Sequence, residues 1–157
     1  MFDPDLGPEE EQALVDVIRS KWLTMGERTA AFEHAFAEMT GVPVALACNS
    51  ATAALHMSLA ALGIGPGDEV VVPSLTFVAT ANAVRYCGAK PVFADVASLD
   101  EWNIDATTIA RALTPATKAI VVVHYAGYPC DMQAIMDLAT RRGLAVVRSM
   151  IACMSQG

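Results

Sequence analysis

The sequence predicts an α/β fold: a mainly parallel sheet with helices on both faces, in three layers. Three observations predict it. Short runs such as "EVVVPS" (69–74) and "KAIVVVHY" (118–125) are continuously apolar and β-branched, as strands buried on both faces require. Stretches of helical period lie between them, and glycines close several of these stretches.

The elements follow in order. Residues 8–20, "PEEEQALVDVIRS", read as a helix, with Pro8 and three glutamates in the first turn, where the helix dipole favours negative charge. A second amphipathic helix covers 28–40 and ends at Gly41. "VALAC" (44–48) reads as a short apolar strand, and 51–62 as a helix closed by Gly63. A tight turn, "GIGPGDE" (63–69), leads to the strand 69–74 and a helix over about 76–86. "PVFADV" (91–96) is a strand, followed by a short helix near 105–112 and the strand 118–125. A helix over 131–142 ends at Gly143, and "LAVV" (144–147) is the last strand.

With 157 residues, the chain can bury a real core. A net charge of −7 argues against nucleic acid or an anionic membrane as partner. The cysteines at 48, 87, 130 and 153 form no C-x-x-C pair and show no zinc spacing, so no metal is expected and the thiols read as reduced and cytoplasmic. Residues 39–67 carry no Asp, Glu, Lys or Arg, yet glycines and prolines break the span, and its longest helical piece is too short to cross a bilayer. No secretory signal opens the chain.

In parallel sheets ligands bind beyond the carboxyl ends of the strands, which directs attention to 49–53, 74–77 and 124–128. The helix after Cys48 begins with small residues, "NSATA". Its first N–H groups lack intrahelical partners, so the stretch is either an ordinary Asn/Ser cap or an anion site suited to phosphate. It is neither a Walker P-loop nor a G-x-G-x-x-G dinucleotide loop. Phe77 is either a core phenylalanine or an aromatic free to lie on a planar ring. His124 is either a satisfied structural histidine or a site residue.

Taken together, "NSATAALHMSLAALGIGPGDEVVVPSLTFVATANAVRYCGAKPVFADV" (49–96) resembles the DegT/DnrJ/EryC1/StrS aminotransferases. The likeness continues through "WNID" (102–105), residues 113–147 and, upstream, residues 18–42 including "WLTMG" (22–26). The resemblance implies a fold-type I, pyridoxal 5'-phosphate (PLP) enzyme, homodimeric and cytoplasmic. Its substrates would be a keto nucleotide-sugar and glutamate, in polysaccharide or antibiotic-sugar synthesis. It matches Ser50, Ala51, Thr52 and Ala53 to the cofactor's phosphate cradle, Phe77 to the aromatic stacked on the pyridine ring, and His124 with Tyr125 to a segment near the cofactor.

The resemblance also marks departures. Where the family carries Glu-Asp-Ala-Ala, this chain reads Arg148-Ser149-Met150-Ile151, so the family's aspartate, which pairs with the pyridine nitrogen, aligns with Ser149. The lysines are Lys21, Lys90 and Lys118, and none matches the family's Schiff-base lysine, so covalent attachment of PLP is not expected. On this reading residues 1–147 are the N-terminal part of an aminotransferase large domain, incomplete. Residues 148–157 are then a divergent tail from truncation or frameshift. Such a chain is expected to be inactive alone and marginally stable, because strand 44–48 would lack its neighbour. Two alternatives stand beside it: a non-catalytic partner of a full-length subunit, and an unrelated phosphate- or nucleotide-binding domain.

Overall fold

The computed structural model describes residues 5–149, so the expected tail lies outside the described residues from Met150 onward. The chain divides into two units, one ending at Asn49 and the other beginning at Ser50.

The N-terminal unit holds α1 (Pro8–Ser20) and α2 (Glu27–Thr40), close to the predicted spans. Gly7 donates its N–H to Glu10 Oε2 at 2.8 Å, which caps α1. Lys21 closes it in the left-handed region at φ 60°, and Gly41 does the same for α2. Neither helix buries a residue fully: Leu14, Ile18, Phe32 and Phe36 all remain exposed. The expected strand 44–48 is not formed. An apolar run becomes a strand only where another backbone offers a ladder of hydrogen bonds. Here Ala47 N–H goes instead to Glu33 Oε1 at 2.8 Å, and Val44 and Leu46 are 67% and 74% exposed.

The second unit begins with α3 (Ala51–Ala61) and continues through β1 (Glu69–Pro73), α4 (Ala79–Tyr86), β2 (Lys90–Ala94), α5 (Ala106–Ala112) and β3 (Thr117–Val123). A 3-10 turn at Tyr125–Gly127, α6 (Met132–Arg142) and β4 (Ala145–Ser149) complete it. All strand pairs are parallel, in the order β2-β1-β3-β4.

Two-residue alternation splits the sheet's side chains between two cores. Val70, Val72, Ala119 and Val121 point to one face and pack with Leu55 and Leu59 of α3 and Ala83 and Val84 of α4. Val71, Ile120 and Val122 point to the other, against Ile109 of α5 and Ile135 and Leu138 of α6. The expected three layers are therefore present. β4 runs on through Arg148 and Ser149, two residues beyond the predicted end.

The topology also fixes the direction of α3. Its C-terminus leads through the 62–68 turn into the start of β1. Eleven helical residues span about 16 Å, close to the roughly 16 Å of a five-residue strand. Since Leu55 and Leu59 lie on the sheet, the N-terminus of α3 stands at the carboxyl rim of the strands.

Candidate functional site

The carboxyl rim has one topological switch. From β1 the chain moves to β2 on one side, then crosses to β3 on the other. The crevice between the ends of β1 and β3 is where parallel α/β sheets bind ligands. The segment after β1 carries Phe77, and the segment after β3 begins with His124. The first turn of α3 rises at the same rim.

In that first turn Ser50 is the N-cap, with extended backbone, and its Oγ accepts Ala53 N–H at 3.1 Å. Ala51 and Thr52 present the remaining first-turn N–H groups, with only a methyl and a small hydroxyl side chain beside them. The cap is thus real, and it is also compatible with an anion, because Ser50 satisfies Ala53 while small side chains leave the helix end open.

Phe77 is not a core residue. It is 59% exposed and stands two residues before α4, whereas the helix expected over about 76–86 would have included it. The lead-in is held by polar bonds instead: Ser74 N–H donates to Ala94 O at 2.8 Å, Ser74 Oγ to Asp95 Oδ1 at 3.2 Å, and the hydroxyls of Thr76 and Thr80 pair at 2.9 Å. These bonds hold the segment that precedes the helix, and the ring lies outside both cores.

β3 stops at Val123, so His124 and Tyr125 lie beyond the strand rather than within it. His124 N–H donates to Ser149 O at 3.2 Å, tying the residue to the end of β4. Its Nδ1 accepts Cys130 N–H at 3.1 Å, which assigns the ring proton to Nε2. His124 is therefore a structurally engaged histidine with its Nε2–H left to donate. Nearby, Cys130 Sγ lies 3.4 Å from Val123 O. Burial, and then the charge of Glu101, pushes this thiol up to about 11, making it a poor nucleophile.

Sequence reasoning missed Asn103. It is buried, at 5% exposure, and bonds to the turn after β3. A shallow cavity of about 280 Å³ adjoins it, lined by Trp102, Tyr125 and Tyr128. The signal available was a polar residue set between Trp102 and Ile104, just before the helix cap Asp105.

A cavity of about 690 Å³ lies in the N-terminal unit and contains none of the predicted cofactor residues. Trp22 and Gly26 of the "WLTMG" segment line it. A Cβ on Gly26 would come within 2.6 Å of the Trp22 ring, so a larger residue there would require the ring to shift. The switch-point crevice, unlike this hollow, has a helix start, an exposed aromatic and a histidine at one rim of the sheet. Among the described residues no helix is long and apolar enough to cross a membrane.

The family model of the DegT/DnrJ/EryC1/StrS aminotransferases matches residues 4–151. The chain belongs to this aminotransferase family. One relative of the family chain is the GDP-perosamine synthase of Caulobacter vibrioides, 46% identical over 145 residues that make up 92% of this chain and 39% of the relative. The aminotransferase from Psychrobacter cryohalolentis superposes with a TM-score of 0.90 at 39% identity, over 99% of this chain and 40% of that one. A Streptococcus pneumoniae protein described as a candidate sugar aminotransferase, in its PLP form, gives 0.84 at 34% identity, over 94% and 38%. The chain thus spans about two fifths of the length of the relatives it matches. Its sheet and helices are those of fold-type I aminotransferases.

Proposed function

We propose that this chain supplies the phosphate cradle and ring platform of a PLP-dependent aminotransferase that aminates a keto nucleotide-sugar, with glutamate as amino donor. The observation that carries the reading is the pairing of an open, small-residue helix start at Ser50–Ala53 with an exposed Phe77 at the same carboxyl rim. A phosphate dianion suits the first-turn N–H groups and the positive end of the α3 dipole. Phe77 offers a flat face to a pyridine ring. His124 Nε2–H adds a hydrogen-bond donor whose direction Cys130 N–H helps to fix. When bound, PLP supplies the electron sink for transamination.

The residues here hold the cofactor without a covalent link. Lys90 opens β2 and Lys118 is the second residue of β3, both at the rim opposite the cradle. Lys21 caps α1. Ser149, in the place of the family's aspartate, has a neutral hydroxyl that does not hold a proton on the pyridine nitrogen. By itself the chain binds PLP and does not transaminate. The apolar side chains exposed on α1 and α2 support association with a further subunit, as in a cytoplasmic dimer.

Titration of the chain with PLP, followed by absorbance, tests this. Saturable binding is expected, weaker for pyridoxal, which lacks the phosphate. Phe77→Ala should weaken it roughly two- to tenfold. Borohydride treatment and peptide mapping should find no cofactor on Lys21, Lys90 or Lys118. Equal affinity for PLP and pyridoxal would remove the cradle, and a stoichiometric lysine adduct would remove the non-covalent reading.

A further inference from the structure

We infer that Asn103 is a positioning residue of the candidate site, holding the turn after β3 and, through it, the His124 imidazole. This rests on the reading of His124 as part of the cofactor pocket. Asn103 lies between β2 and α5, far in sequence from the turn it serves. Its Oδ1 accepts Tyr125 N–H at 3.0 Å and its Nδ2 donates to Tyr128 O at 3.1 Å. One amide therefore spans the turn from its first residue to the residue after its last.

The turn needs such a brace. Ala126 has φ +50° and Gly127 has φ +84°, two left-handed residues in succession, and for alanine that region is unfavourable. A carboxamide is suited to the task because it offers an acceptor and a donor on one planar group. Asn103 is itself fixed by its backbone: its N–H donates to Glu101 Oε1 at 3.1 Å and its carbonyl accepts Ala97 N–H at 2.9 Å. Next to it, the Trp102 ring meets the Tyr125 ring edge-on, with centroids 5.5 Å apart. His124 and Cys130 flank the braced segment, and the Nδ1 bond between them depends on its path. Asn103 touches neither cofactor nor substrate in this account; it acts by keeping the imidazole in one tautomer and one direction.

Long-range proton–nitrogen spectra of the ¹⁵N-labelled 157-residue chain read the His124 ring directly, assigned by comparison with His124→Gln. The wild type should show a single tautomer protonated at Nε2. Asn103→Ala should give averaged ring signals and weaken PLP binding about fivefold while the chain still melts cooperatively. Asn103→Asp, which keeps the acceptor for Tyr125 N–H and loses the donor to Tyr128 O, should fall between the two and covers the case in which the alanine variant does not fold. In the wild type, Tyr125 N–H should be protected from exchange, and fast exchange there would overturn the inference without any variant. Folded variants with wild-type ring signals, or with altered ring signals and wild-type PLP affinity, would also overturn it. If the wild type binds no PLP at all, the proposed function fails, and the ring signals alone still decide whether Asn103 orients His124.

Discussion

Ser74 Oγ donates to Asp95 Oδ1 at 3.2 Å, joining the residue after β1 to the residue after β2 across 21 positions of chain. Asp95 Oδ1 also accepts Val96 N–H at 2.9 Å. The pair sits where the chain turns toward Phe77, so it links the sheet's edge to the aromatic platform. Ser74→Ala and Asp95→Ala should each cost on the order of 0.5–1.5 kcal/mol, and the double variant should cost less than their sum. Urea unfolding of the four proteins measures this; strict additivity would show that the bond contributes nothing.

The α3 cap predicts an asymmetric pair of substitutions. Ser50→Ala should destabilise by about 0.5–2 kcal/mol, and Ser50→Gly by only a few tenths. The cause is the loss of the Oγ acceptor for Ala53 N–H, which glycine's freer backbone partly offsets. Equal losses in denaturant titrations would mean that Ser50 acts through something other than the cap.

A third expectation concerns acid. At the amino end of the sheet Glu69 pairs with Lys90 Nζ at 2.8 Å and accepts the Thr114 hydroxyl. Lys90 first, and Thr114 second, hold its carboxyl below the ordinary 4.5. A carboxylate depressed on folding stabilises fully above its unfolded value and loses that contribution as pH falls through the folded one. The stability gap between wild type and Glu69→Gln should therefore be constant from about pH 6 upward and close below pH 4.5. A gap unchanged down to pH 3 would contradict the pairing.

Thiol labelling should separate the described cysteines. Cys48 is exposed, whereas Cys130 is buried with its pKa near 11. With iodoacetamide at pH 8, Cys48 should label first, and Cys130 should react at least about 100-fold faster in urea than in the folded chain. Peptide mapping over time reads both, and early labelling of Cys130 would show that its burial is not maintained.

Much of the sheet was legible because its strands are buried on both faces. Val70–Val72 and Val121–Val123 have little polar alternation to confuse the reading, and Asp105, Asp131 and Gly143 mark helix ends with ordinary capping chemistry. Residues 44–48 misled because apolar composition states that a segment suits a strand, while pairing depends on what lies beside it. Phe77 and His124 could be singled out by position, yet their surroundings could not. Phe77 follows a segment held by bonds of Ser74 and Thr76 to distant or later residues, and the tautomer of His124 is set by an amide six residues on. Asn103 was missed because its partners, Tyr125 and Tyr128, lie 22 and 25 residues away. No local pattern announces a side chain that works at such a distance.

The strand order also governs how the molecule can be made. β1 must wait for about 20 further residues before β2 exists to pair with it, and for about 50 before β3 does. On a nascent chain β1 therefore has at most β2 to pair with until β3 emerges, and the future centre of the sheet is bare along one side. Until β3 emerges and is seated, Val70 and Val71 have no permanent cover on that flank, and this interval is when a chaperone would find the most to hold.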